Sequence, residues 1–180
     1  MNLISRKYLA FGLIILGMVS FSGCRNSNSE TKYIVGHKVD SLNGVHVYYN
    51  GSMGNVSGRN TTIDGYNLGL KYQCVEFVKR YYYEYYNHKM PNSWGHAKDF
   101  FQNGIDDGTL NRNRNLTQYI NPSKTKPKIG DLVIFGGTTS NSYGHVAIIS
   151  MVNNQKVEVI QQNVGKNTRS TYNLKRKNKI

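Results

Sequence analysis

The sequence predicts an α+β fold in which N-terminal helices pack on an antiparallel β-sheet, and two stretches carry that prediction. Tyr72 to His88 contains neither Gly nor Pro, and Cys74, Val75, Val78, Tyr81, Tyr82 and Tyr85 recur there at helical spacing. Beyond Lys128 the pattern changes to short apolar runs bounded by turn residues. Asp131 to Phe135 follows Pro127-Lys128-Ile129-Gly130 and stops at Gly136-Gly137, while His145 to Val152 and Lys156 to Asn163 flank Asn153-Asn154-Gln155. With 180 residues, 18% of them charged, 18 Gly and 3 Pro, the chain has room for one compact domain.

The elements follow in order. Arg6 and Lys7 precede an almost wholly apolar stretch from Tyr8 to Phe21, and Ser22-Gly23 sets small residues directly before Cys24. This three-part pattern is that of a signal peptide over 1–23, with an apolar run too short for a comfortable membrane span of roughly 20 residues. Val19-Ser20-Phe21-Ser22-Gly23-Cys24 resembles the bacterial lipobox, which implies lipidation at Cys24 and a membrane-anchored lipoprotein exported to the cell envelope. Phe21 departs from the Leu usual in that motif. A polar tether is expected over 24–40 and the domain over 41–180. Between Gly44 and Gly69, recurring Gly, Asn and Ser predict turns around at most one short strand, Val45 to Tyr49. After the main helix a second is expected over Trp94 to Gln102, then a polar stretch to Lys128. Tyr81, Tyr82, Tyr83, Tyr85 and Tyr86 spread over more than one helical face, so core packing is expected before a stacking platform.

The formal net charge is +13, which favours polyanions, whether nucleic acid, acidic lipid headgroups or the anionic polymers of a bacterial envelope, and charge alone does not choose among them. No zinc-finger spacing or aromatic RNA-binding signature accompanies it, so nucleic acid is not an expected partner. The densest basic run, Lys175-Arg176-Lys177 with Lys179, reads as a solvated tail. His37, His46, His88 and His96 show no metal-ligand spacing, so neither metal nor other cofactor is expected. A monomer is expected.

With Cys24 assigned to lipid, Cys74 is the remaining one of two cysteines, an exported thiol without a disulfide partner. In the first turn of a helix its thiolate would be favoured by unpaired N–H groups and the macrodipole. The register of the last hairpin supplies companions. If Asn153 to Gln155 form a three-residue loop, Met151/Val157, Ile149/Val159, Ala147/Gln161 and His145/Asn163 share one face. A two-residue loop would set Ile149 against Glu158, placing charge on a face that should be buried. The first register gathers His145, Gln161 and Asn163 at one end. A histidine there can act as base toward the cysteine, with an amide on its other nitrogen fixing the tautomer.

Tyr72-Gln73-Cys74-Val75-Glu76-Phe77-Val78-Lys79-Arg80, Pro127 to Phe135, Gly144 to Ile149 and Val159 to Asn163 together resemble the CHAP family of cysteine, histidine-dependent amidohydrolases and peptidases. The resemblance covers about Gly65 to Asn163. It implies a papain-like fold with the nucleophile at a helix N-terminus, and cleavage of amide bonds, most often in peptidoglycan. Carried over by position, it makes Cys74 the nucleophile, His145 the base and Asn163 an assisting amide. Gln161 falls where the family usually has Glu, so it orients the ring but stabilises imidazolium less. Gln73 falls beside the oxyanion site. Asp131 reads as structural, bonded to turn backbone. Two rivals remain: an amidase of the glutathionylspermidine type acting on a small substrate, and a non-catalytic wall-binding lipoprotein.

Overall fold

The computed structural model describes residues 32–174; the leader, Cys24 and the basic tail lie outside them. Within the described residues the fold is mixed α+β, with one α-helix and several antiparallel sheets, in general terms the papain-like arrangement. Helix α1 spans Cys74–Tyr86. It begins with the apolar periodicity, two residues inside the stretch free of Gly and Pro: Tyr72 has a φ of 66° and Gln73 is extended, so Cys74 is its first residue. It stops at Asn87, whose left-handed φ of 50° an Asn tolerates and whose N–H returns to the Tyr82 carbonyl.

Strands β1 (Lys38–Leu42) and β2 (Val45–Tyr48) form one hairpin, β3 (Arg59–Thr61) and β4 (Asn67–Leu70) a second, β5 (Thr109–Asn111) and β6 (Leu116–Gln118) a third. The main sheet has the order β10-β9-β8-β7, all antiparallel, from β7 (Leu132–Phe135), β8 (His145–Val152), β9 (Lys156–Ile160) and β10 (Arg169–Asn173). The core lies between α1 and one face of this sheet: Phe77, Val78 and Tyr81 meet Val146, Ile148 and Ile160, all fully or nearly fully buried. A smaller cluster of Ala147, Ile149 and Val159 covers the other face, with Val133 and Phe135 against it.

At the described end of the tether, β1 starts at Lys38, and Asp40 is held by Arg169 at 2.9 Å and by the Thr168 hydroxyl at 2.6 Å. Four expectations give way to the structure. The second helix shrinks to a single 3-10 turn, Ala97–Phe100. Asp99 bends back to accept the His96 N–H at 2.8 Å, and the Lys98 N–H goes to the Tyr143 carbonyl at 3.0 Å, which ties the turn to the start of β8 instead of prolonging it. The stretch to Lys128 contains β5 and β6, and Gly44 to Gly69 contains β2 and a β3–β4 hairpin rather than one strand. At Gly69, with a φ of 127°, an added Cβ would stand 3.3 Å from Glu76 backbone, so this glycine lets β4 lie directly against α1.

The fourth difference is in the β8–β9 hairpin. Ile149 opposes Val159 as the three-residue loop requires, but Val152 opposes Val157 and Met151 opposes Glu158. A bulge between Ile149 and Met151 absorbs the slip. Ser150 occupies it, donating from Oγ to the Glu158 carboxylate at 2.8 Å, while Asn153 Oδ1 accepts the Gln155 and Lys156 N–H groups and closes a longer turn. Below the bulge the expected register holds at Ile149/Val159 and Ile148/Ile160, where β9 ends, so the expected His145/Asn163 pair is not formed. The tyrosines divide as expected, with Tyr81 and Tyr82 buried and Tyr85 and Tyr86 about half exposed. Asp131 accepts the Lys128 N–H at 2.8 Å within its turn.

Candidate active site

Cys74 opens α1 and is 8% exposed. Backbone N–H groups of Val146, Val75 and Cys74 itself surround its sulfur, so the start of the helix meets β8 one residue beyond His145. Burial nevertheless pushes the thiol above its ordinary pKa, outweighing those N–H groups. The lowering expected from the helix terminus is therefore not what the resting site shows, because desolvation is the larger effect at this depth.

His145 is the first residue of β8 and half-buried. Its Nε2 lies 2.9 Å from Gln161 Oε1. An amide oxygen only accepts, so Nε2 carries the proton and Nδ1 is left with its lone pair. Burial holds the imidazole below its ordinary pKa, against the Gln161 hydrogen bond, which favours imidazolium. Gln161 is itself fixed: its Nε2 donates to Ser170 Oγ at 2.9 Å, and its backbone N–H goes to the Thr168 carbonyl. Strand β10 thus supplies the residue that orients the orienting amide.

Asn163 goes elsewhere. Its φ of 68° turns the chain out of the strand path, so its side chain meets Gln73 and not His145. Asn163 Nδ2 donates to Gln73 Oε1 and, at 3.1 Å, to the Met53 carbonyl, and its Oδ1 accepts from Asn50 Nδ2 at 2.8 Å. Gln73 Nε2 donates to the Asn55 carbonyl at 2.8 Å, leaving one of its two N–H bonds uncommitted. The structure accordingly brings together Cys74, His145 and Gln161 at one end of β8, with Gln73 and Asn163 in a separate amide cluster closed by the 50–55 loop.

Three further residues stand behind this arrangement. Gln162 is fully buried; its Nε2 donates to the Gln73 carbonyl at 3.0 Å and to Glu76 Oε2 at 2.8 Å, and its Oε1 accepts the Tyr48 N–H. Glu76 in turn holds Arg80 at 2.6 Å. Gln162 points away from Gln161, so the chain just past β9 holds the imidazole on one side and the start of α1 on the other. The sequence carried no clear signal for these residues: Glu76 and Arg80 fall opposite the apolar stripe of α1, where solvated charge is the ordinary expectation, and Ser170 lay beyond the last predicted strand in a stretch assigned to no element. Among the described residues no group of three or more His, Cys, Asp or Glu is disposed to hold a metal ion.

Comparison with known proteins adds the family. The CHAP domain pattern matches residues 64–163, more than half of the chain. The chain belongs to the CHAP domain family. It is 36% identical over 98 residues to the endolysin PlyTW of Staphylococcus phage Twort, covering 51% of this chain and 19% of that protein. It is 34% identical over 108 residues to the bifunctional glutathionylspermidine synthetase/amidase of Escherichia coli, covering 57% and 17%. A trypanothione synthetase of Crithidia fasciculata is 28% identical over 107 residues, covering 59% and 16%. The chain spans less than a fifth of the length of these relatives. The CHAP match ends at Asn163, so β10, with Ser170, lies beyond it.

The shifts at Cys74 and His145 both favour the neutral thiol–imidazole pair. Alkylation of Cys74 by iodoacetamide is therefore expected to rise with pH to a midpoint above the ordinary thiol value of about 8.5. In Gln161→Glu a carboxylate at the imidazole N–H stabilises imidazolium, and through it the thiolate, so the midpoint should fall. The Ser170 hydroxyl can donate to the new carboxylate, so the fold accommodates the change. Equal midpoints in the two proteins would show that residue 161 does not govern the pair.

Proposed function

We propose that this chain is a cysteine amidohydrolase or peptidase that hydrolyses an amide bond of peptidoglycan through an acyl-thioester on Cys74. The observation that carries the reading is the convergence at one end of β8: a cysteine opening a helix beside Val146, and a histidine whose Nε2–H is given to Gln161, which leaves the Nδ1 lone pair to act as a base. The endolysin relative supports a wall substrate.

In this mechanism His145 Nδ1 takes the thiol proton as sulfur attacks the carbonyl carbon. The oxyanion is met by the N–H of Cys74 at the helix start, with the uncommitted N–H of Gln73 as a second donor. The C–N bond then breaks, the imidazolium proton leaves with the amine, and the acyl group remains as a thioester. Water, deprotonated by the same Nδ1, attacks the thioester and releases the acid and the thiol. Gln161 orients the ring throughout, and the cluster of Asn163, Asn50 and Asn55 holds Gln73. Gln161→Ala is expected to lower the rate roughly ten-fold or more, about 1.4 kcal/mol. Asn163→Ala should act through Gln73, and the double variant separates the two routes: a double variant as fast as wild type removes both amides from the mechanism.

Purified sacculi are the direct test. Mass spectrometry of the released muropeptides should show a new amine and a new carboxyl at one bond. A second reading is favoured by the synthetase/amidase relative, in which a small amide is the substrate; cleavage of glutathionyl amides with no release from sacculi would select it. A thiol that never reacts with an electrophilic probe would instead favour a wall-binding protein. The leader pattern supports anchoring to the membrane at an acylated Cys24, although no helix of the described residues is long and apolar enough to cross a membrane. Wild-type protein found wholly soluble and without acyl chains would remove that part of the proposal.

A further inference from the structure

On the side of α1 away from the thiol lies a second cavity of about 240 Å³, lined by Tyr48, Asn60, Lys71, Tyr72, Glu76 and Arg80. Glu76 and Arg80 are a turn apart, about 160° and about 120° around the helix from Cys74 by its 3.6-residue period. Arg80 is 6% exposed. Its Nε and Nη2 are committed to Glu76 and to the His46 carbonyl, but Nη1 makes no hydrogen bond among the described residues. Nη1 is not sealed from solvent, so this N–H pair, on a guanidinium otherwise fixed by Glu76 and His46, is a positioned donor open to an acceptor in the cavity. Exposed Lys71 adds a second cation at the rim, and the rings of Tyr48 and Tyr72, 5.5 Å apart, form apolar walls. Asn60 gives its N–H to Glu76 and keeps its carbonyl oxygen free, an acceptor beside the donors.

We propose that this cavity is a second binding site, for the carboxylate of a single amino-acid residue, either free or at the end of a peptide. The charge selects the class. Glu76 offsets one of the two cations, leaving the lining with one net positive charge; a single carboxylate group matches it, the Asn60 carbonyl oxygen accepting from the ammonium where the amino acid is free, whereas a doubly charged phosphate would press against the Glu76 carboxylate. The size agrees, because 240 Å³ is below the roughly 300–1,000 Å³ of pockets for drug-sized ligands. The site touches the chemistry indirectly, since Tyr72 precedes Gln73 and Gln162 bonds both Glu76 and the Gln73 carbonyl. This inference stands independently of the bond the enzyme cuts.

The test is a chemical-shift titration of the full chain with N-acetylalanine, alanine, N-acetylalanine amide and inorganic phosphate. Either carboxylate should saturate the protein at about millimolar concentration, and the amide should not. Tighter binding of N-acetylalanine identifies a peptide terminus as the source, and tighter binding of alanine a free amino acid. Lys71→Ala should weaken binding about ten-fold. Arg80→Lys, which keeps the charge next to Glu76 but has no Nη1, should abolish it while the thermal transition confirms that the protein is folded. Cys74→Ala should bind as wild type does. Absence of saturation by either carboxylate, equal binding of the amide, tighter binding of phosphate, loss of binding in Cys74→Ala, or wild-type binding in both Lys71→Ala and Arg80→Lys would each overturn the proposal.

Discussion

Cys74→Ala is expected to lower amide hydrolysis by at least about 10⁴-fold, some 5.4 kcal/mol of transition-state stabilisation, while leaving the protein folded. In the proposed mechanism Cys74 alone forms the acyl intermediate, and His145, engaged with Gln161, takes the part of the base. The stability cost should be small. The substitution removes one sulfur atom from the first residue of α1, at the edge of the core where the helix meets β8, and Ala is a better helix former than Cys. Cys74→Ser keeps the volume but replaces a thiol with a much weaker nucleophile and should be comparably inactive. His145→Ala should match the loss of activity and also cost about 1 kcal/mol or more of stability, since Gln161 is buried and loses its partner. Release of muropeptides and thermal unfolding, measured on the same samples, separate chemistry from folding. A Cys74→Ala protein that still cleaves at the wild-type rate would refute the thiol mechanism.

The sequence made the elements around this site legible where a hydrophobic period ran long enough. Seventeen residues without Gly or Pro gave α1, and apolar runs between turn residues gave β7, β8 and β9, as about one strand-length each. The hairpins β3–β4 and β5–β6 were not visible, because three- or four-residue strands such as Arg-Asn-Thr and Leu-Thr-Gln carry no alternation to detect. The bulge at Ser150 was hidden for a different reason: both simple loops preserve a regular ladder, and only the Ser150–Glu158 hydrogen bond favours breaking it. At the site, strand alternation put Gln161 near His145, but it could not foresee that Asn163 adopts a left-handed φ and turns to Gln73. Nor can a sequence weigh desolvation against a helix terminus, which is what decides the direction of the Cys74 shift.

The charged pair behind the nucleophile should be the most sensitive structural element. Glu76 and Arg80 have side chains only 2% and 7% exposed, and the carboxylate also takes hydrogen bonds from Asn60 and Gln162. Arg80→Leu removes the cation and leaves a buried carboxylate without its counter-charge, for which the expected cost is about 3–5 kcal/mol. That is a large fraction of the about 5–15 kcal/mol that separates a folded domain from its unfolded chain. Removing both charges is a different experiment. Glu76→Leu with Arg80→Leu leaves no ion to desolvate, so the double variant should recover much of the lost stability. It should not recover activity to the same degree, because Glu76 also anchors Gln162 Nε2, which bonds the Gln73 carbonyl directly before Cys74. Urea unfolding of the two single variants and the double one, paired with kcat and KM on one substrate, tests both halves. Equal stability of Arg80→Leu and wild type would mean that the pair contributes nothing at this depth. Full kcat in the folded double variant would mean that Glu76 holds the helix but not the geometry of the nucleophile.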